Sequence, residues 1–202
     1  MDALTALETR RSIKLFDPQH TLSEAEERRL LELAKLSPTA FNLQHWRFVL
    51  VKDPALRQQL RALAWNQAQV TDASLLVVVC ADLKAWQRYP ERCWSHAPEQ
   101  VQQPLLKAID GFYRENEALQ RDEALRSCGI AAQSLMIAAK AMGYDSCPMD
   151  GFDFDAVGEA INLPDDHIVT LFVAIGKAVE PARPRGGLLD YEDVVIIDRF
   201  YP

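Results

Sequence analysis

Several familiar signatures are missing from this chain of 202 residues. Its four cysteines, Cys80, Cys93, Cys128 and Cys147, contain no C-x-x-C pair, and nothing in their spacing suggests a small disulfide scaffold. Cys80, inside an apolar run, reads as a plain core residue. The four histidines, His20, His45, His96 and His167, lack the i, i+4 spacing of a helical metal site, so no metal is expected. There is no glycine-rich dinucleotide fingerprint. No apolar run approaches the length of a membrane span, and residues 1–16, MDALTALETRRSIKLF, lack the continuous apolar segment of a secretory leader. Internal repeats and low-complexity segments are absent. Positive charge is in deficit, with 22 Lys and Arg against 29 Asp and Glu and a formal net charge of −7. That balance argues against general nucleic-acid binding. The expectation is a cytoplasmic protein with reduced cysteines, no nucleic-acid partner and no membrane contact.

What is present suits a sizeable core. Hydrophobic residues make up 49% and charged residues 25%, ordinary for a single globular domain spanning 1–202. A short helix is expected over 3–9. Ser23 and Glu26 form a capping box ahead of Leu30, Leu33 and Ala34, and Pro38 closes that helix. A strand follows at 46–52. Asp53 and Pro54 then open a helix as cap and first residue, with Leu56, Leu60 and Leu63 as its stripe. Residues 74–81, SLLVVVCA, read as a central strand covered on both faces. Segment 82–100 is irregular with short helices, 99–117 is helical, and 121–142 is the longest and most apolar helix, ended by Gly143. Residues 144–152 read as a loop, 153 to about 163 as a short capped helix, 167–175 as a strand and 191–197 as another. This pattern is α/β in three layers.

Some residues have no simple core explanation. Arg10, Arg11, Ser12 and Lys14 cluster near one end of an acidic chain, Arg183 and Arg185 near the other. Arginine presents a planar fork of donors that matches phosphate or carboxylate oxygens. Residues 37–44, SPTAFNLQ, mix small groups, amides and one aromatic and are too long for a tight turn. Asn66, Gln67 and Gln69 follow a helix whose apolar stripe has ended. Gly151 permits close backbone approach to a ligand. Each feature alone has a bland reading as solvated surface, turn or cap.

Together, and in this order, TRRSIKLFD, SPTAFNLQHWRFVLV, WNQAQVTDASLLVVVCA, IAAQSLMIAAKAMGYDSCPMDGFD, AIGK and RPR resemble the nitroreductase family of FMN-dependent oxidoreductases across nearly the whole chain. The resemblance implies a three-layer α-β-α fold with a central, mainly antiparallel sheet. It implies a homodimer with FMN at each of two interface sites, and a C-terminal extension (about 187–202) packed on the other subunit. Arg10, Arg11 and Ser12 would hold the phosphate end of tightly bound, non-covalent FMN, joined by Arg183 and Arg185. Lys14 would lie near the N1 and O2 edge of the ring, where a fixed cation stabilises the reduced state. Asn66 and Gln69 match positions on the pyrimidine side, where some relatives carry lysine in place of Gln69. Met149, Asp150 and Gly151 match the loop that faces N5 and O4 through its backbone. Pro38, Thr39, Ala40, Asn42 and Gln44 match the segment reaching the FMN of the other subunit. Phe41, Phe112 and Tyr113 fall on the substrate side. Relatives usually have proline where this chain has His45.

The implied activity is ping-pong hydride transfer from NADH or NADPH to a small-molecule acceptor such as a nitroaromatic, quinone or activated alkene. No catalytic side chain is required. Alternatives on the same fold are another flavin reaction, such as dehalogenation or enone reduction, and flavin binding without turnover.

Overall fold

The computed structural model describes residues 1–200. In chain order the elements are α1 (Ala3–Thr9), α2 (Glu24–Ala34), a 3-10 turn (Ala40–Asn42), β1 (Trp46–Leu50), α3 (Pro54–Leu63), α4 (Gln69–Asp72) and β2 (Leu75–Asp82). They continue with α5 (Ala85–Arg88), α6 (Pro90–Cys93), α7 (Glu99–Tyr113), α8 (Glu117–Ala141), β3 (Asp145–Met149), α9 (Phe154–Ala160), β4 (His167–Gly176) and α10 (Tyr191–Val194). Local chemistry sets many of these boundaries. Ser23 and Glu26 form the expected capping box on α2. Asp53 caps α3 from its side chain, with Pro54 at the first turn. Gly143 ends α8 at φ 83°, a conformation that glycine adopts without steric cost.

The sheet order is β1-β2-β4-β3, with every neighbouring pair antiparallel. β2 lies inside the sheet and is buried along its whole length, as its unbroken apolar run requires. Successive residues point to opposite faces. Val77 and Val79 therefore join Leu135 and Ala139 of α8 and Leu30 of α2 in one layer. Leu76 and Val78 join Leu60 of α3 and Val157 of α9 in the other. Two helical layers enclose one sheet, giving the expected α-β-α arrangement. Among the described residues no helix is long and apolar enough to cross a membrane.

Three expectations are corrected. Residues 144–152 are not simply a loop, because Asp145–Met149 forms β3, including Pro148 opposite Val173. β3 is last in the sheet order, and proline is tolerated on such an edge because its missing N–H breaks no inner ladder. The helix over 99–117 ends at Tyr113; Glu115 turns at φ 61° and Asn116 caps α8 with its side chain. The strand expected at 191–197 is instead a single turn, α10, followed by extended chain. From Arg183 to Phe200 every residue is exposed. A β-prone run with no neighbouring strand to pair with has nothing to satisfy its backbone but water.

Candidate functional site

The two arginine-bearing ends of the chain meet. The Arg11 guanidinium donates to the carbonyl of Arg183, and Arg185 donates to the carbonyls of Glu8 and Arg10 at 3.0 and 3.3 Å. Ser12 and Ser146 form a β-bridge, which lays residues 12–14 against the outer edge of β3. Ser12, Lys14, Glu180 and Arg183 border a cavity of about 130 Å³. Lys14 Nζ lies 3.6 Å from Cys147 Sγ. Two polar atoms here, Arg10 Nη1 and Ser146 Oγ, are buried without a partner. A buried guanidinium donor left unpaired is costly, and an anion is the partner its chemistry suits.

β3 delivers Met149, buried, and then Asp150 and Gly151 to the same edge. The α3–α4 turn packs on this loop. Gln67 Nε2 donates to the Gly151 carbonyl at 3.2 Å and Asp153 N donates to the Leu63 carbonyl at 3.2 Å. A Cβ at position 151 would stand 2.6 Å from the Trp65 ring, so glycine is what lets the indole lie against the loop. Asn66 is exposed and accepts from Arg61 Nε at 2.9 Å. Gln69 is buried, 4% exposed, and its amide reaches only Gln67 Oε1, at 3.5 Å. Gln67 was singled out in the sequence with Asn66 and Gln69, but Trp65 was missed as a member of this group. The signal was available in the turn sequence WNQAQ, whose first residue is a large aromatic beyond the end of its helix's apolar stripe.

A second group forms around residues 38–44. Thr39 Oγ1 accepts from Gln44 N at 3.0 Å, and Ala40–Asn42 make the 3-10 turn after Pro38. The loop is tied to the α6 region. Trp94 Nε1 donates to the Phe41 carbonyl at 2.8 Å and Asn42 Nδ2 to the Cys93 carbonyl at 3.4 Å. Phe41 meets Phe112 and Tyr113 edge to face, at 5.8 and 6.2 Å between centroids. Phe112 is about half exposed, but Tyr113 is fully buried. Tyr113, expected on the substrate side, is thus covered within this chain, with Phe41 and Phe112 packed on its ring.

Left-handed backbone at non-glycine residues concentrates in these segments: Phe41, Asn42 and Gln44 at φ 51–55°, Trp65 and Asn66 at φ 52° and 55°. Each such residue costs of order 1–3 kcal/mol and persists where its surroundings over-determine it, often at functional sites. The acidic cluster of Asp82, Asp166 and His167 has a different character. Asp82 is fully buried and accepts from Arg47 at 2.6 Å and Arg88 at 2.9 Å, so its charge is already matched by two guanidinium groups. It reads as an ion-pair network closing the end of β2.

The two groups sit at opposite edges of the sheet, one on β3 and one leading into β1. Across three strand spacings they stand about 14 Å apart, and among the described residues no hydrogen bond joins them.

Comparison with known proteins places this geometry. The model of the nitroreductase family matches residues 7–177. The chain belongs to the nitroreductase family. This nitroreductase-family chain is 54% identical over 182 residues to Protein DrgA of Synechocystis, covering 90% of this chain and 87% of the relative. It is 33% identical over 187 residues to the oxygen-insensitive NADPH nitroreductase of Helicobacter pylori, covering 87% of each. Among solved structures it resembles one from Exiguobacterium sibiricum in complex with FMN, with a TM-score of 0.91, 30% identity and 98% coverage of both chains.

Proposed function

We propose that this chain is an FMN-dependent NAD(P)H oxidoreductase that acts as a homodimer and reduces nitroaromatics, quinones or related acceptors in two alternating half-reactions. The observation that carries this reading is the meeting of Arg10, Arg11, Arg183 and Arg185 beside the start of β3, with Arg10 Nη1 buried and unpaired. The residues fit the cofactor. The unpaired guanidinium donor and Ser12 suit a phosphate. Bound FMN supplies a two-electron carrier between a nicotinamide and an acceptor.

The chain's own residues do the rest. Arg10, Arg11 and Arg185 bind and orient the phosphate end, with Arg183 holding the tail in place through its carbonyl. Lys14 adds a positive charge near the pyrimidine edge, where negative charge accumulates on reduction. Asn66, Gln69 and the backbone of Met149, Asp150 and Gly151 orient the ring. Pro38, Thr39, Ala40, Asn42 and Gln44, with Phe41 and Phe112, bound the open face and exclude water from it.

The separation of the two groups supports the homodimer reading. A two-fold axis brings the 38–44 loop of a second copy to the β3 edge of the first. Exposed apolar residues on α1, α8 and the tail, including Leu4, Leu7, Ile130 and Leu188, supply surface that an interface covers. β1 has a free outer edge beside a cavity of about 520 Å³ lined in part by Leu31, Trp46, Phe48 and Tyr89. The 194–197 run of a second copy suits that edge as an added strand.

The test is the visible absorption spectrum of the purified protein before and after anaerobic NADPH, followed by addition of a quinone. Two flavin bands that bleach and then return support the reading. Flavin bands that persist under both NADPH and NADH leave a binding protein without turnover. A protein that neither contains nor takes up FMN overturns it.

A further inference from the structure

His45 and Tyr113 are unusual among the polar residues of this chain. Each is almost wholly buried, at 1% and 0% exposure, and each leaves a side-chain atom, His45 Nε2 and Tyr113 Oη, without a hydrogen-bond partner. Their rings lie 6.3 Å apart between centroids. Trp86, whose Nε1 is also buried and unpaired, stacks on the same Tyr113 ring. An unsatisfied buried polar group costs about 1–3 kcal/mol. The two atoms are not hydrogen-bonded to each other, but they belong to neighbouring rings, and a single buried water between them would satisfy both.

The chemistry is complementary. His45 Nδ1 is 3.0 Å from Ser127 Oγ, which fixes the ring and leaves Nε2 for a second contact. Burial pushes His45 down to about 4 and Tyr113 up to about 12, so at neutral pH a neutral imidazole neighbours an intact phenol. Either tautomer suits a bridging water, because Nε2 can accept from it or donate to it, and so can the phenol. The Glu123 carboxylate is near enough to raise the phenol further. Glu123 stands one helical turn before Ser127, so both rings approach the same stretch of α8. Asp82 and Arg47 are the charges that act on His45, and Arg126 acts with Glu123 on Tyr113.

The position of this pair gives it a role. Tyr113 is the ring against which both Phe41 and Phe112 pack edge to face. His45 immediately follows the strained 41–44 loop. α7 thus meets the loop at the back of the aromatic wall through Tyr113, while at its front Trp94, just after α6, holds the Phe41 carbonyl. We propose that His45 and Tyr113 are positioning residues for the electron acceptor: a polar link between them through one buried water sets the stance of the Phe41–Phe112 wall and hence the width of acceptor admitted. The proposal rests on the reading of this face as the acceptor side.

A double-mutant cycle tests it, using the full-length protein with its cofactor. The variants are Tyr113→Phe, His45→Leu and the two combined. Thermal and urea unfolding report whether the residues interact. The ratio of kcat/KM for a naphthoquinone to that for benzoquinone reports whether the wall moves. Tyr113→Phe removes the phenol end of the link and His45→Leu the imidazole end; His45→Leu also deprives Ser127 Oγ of its partner, a loss the double variant shares and the cycle cancels. The expected result is a coupling of about threefold or more in the unfolding equilibrium, with a shifted acceptor ratio in Tyr113→Phe, carried by KM, that is partly restored in the double variant. Additive unfolding overturns the contact. Coupled unfolding with an unchanged acceptor ratio overturns the positioning role. If His45→Leu fails to fold, the acceptor ratio of Tyr113→Phe, a change of one atom, decides. A wild-type protein that fails to oxidise NADPH marks failure of the proposed function instead, and the unfolding cycle still reads the contact.

Discussion

Arg185 donates a hydrogen bond to the carbonyl of Arg10 at 3.3 Å, across 175 residues of sequence. One guanidinium thereby orders the backbone that carries another, and the second keeps a buried N–H free. Like charges so arranged repel unless an anion lies between them. A phosphate is the anion that the proposed cofactor brings.

Replacing Arg10 by alanine removes that unpaired donor. FMN affinity is expected to fall about 10- to 100-fold, the worth of a hydrogen bond to a charged group. Arg10→Lys should lie between, since it keeps the charge and loses the fork. Fluorescence titration of the apoprotein with FMN checks this, and equal affinities in all three proteins would remove Arg10 from the phosphate site.

Gln69 is a neutral amide in a buried place. Gln69→Lys adds a cation near the ring, which stabilises the reduced flavin over the oxidised one. The midpoint potential of bound FMN should rise in a dye-coupled redox titration. The variant should also be less stable, because it places a charge at a buried position. A potential that stays the same or falls contradicts the placement of Gln69.

His45 predicts how stability depends on pH. Its folded value, about 4, lies below the 6.5 of a free imidazole because burial disfavours the charged form. Above pH 6.5 both states are neutral and His45 has no effect. As pH falls from 6.5 to 4 the unfolded chain binds the proton and the folded chain does not, so stability is lost, by about 3 kcal/mol in total. Glu26 acts at lower pH. Its hydrogen bonds from Ser23 and Tyr144 hold it down to about 2, so its contribution is present above about 4.5 and disappears as pH falls to 2. Urea denaturation at a series of pH values should show the loss between 6.5 and 4 in the wild type and not in His45→Leu.

The exposed tail should matter only between copies. A chain ending at Gly187 keeps both core clusters, whose residues all precede it. It is expected to give a monomer or insoluble protein. Sedimentation of the truncated chain checks this, and a stable dimer that keeps its flavin would show that the tail does not hold the subunits together.

Much of the fold was legible because its signals are local. The capping box at Ser23 and Glu26, Asp53 before Pro54, and Gly143 after α8 act within a few residues, and the unbroken run in β2 can only be an inner strand. β3 was not legible. Asp-Ser-Cys-Pro-Met has polar residues and a proline, and becomes a strand only because β4 offers a free edge. The strand expected at 191–197 failed for the opposite reason, since its β-prone residues have no neighbour within the chain. In the candidate site, arginine clusters and a glycine loop were visible as residue types in order. Trp65 was not, because what includes it is packing against Gly151.

By itself the sequence determined which helices and inner strands form and which residues carry charge, amides and small side chains, since these depend on neighbours three or four positions away. The tertiary structure alone decided that the two ends of the chain meet at β3, that the 38–44 loop stands at the opposite sheet edge, and that Tyr113 is buried behind Phe41. These depend on strand order and on contacts across tens to hundreds of residues, where chain connectivity imposes no distance and only the packing of the core does.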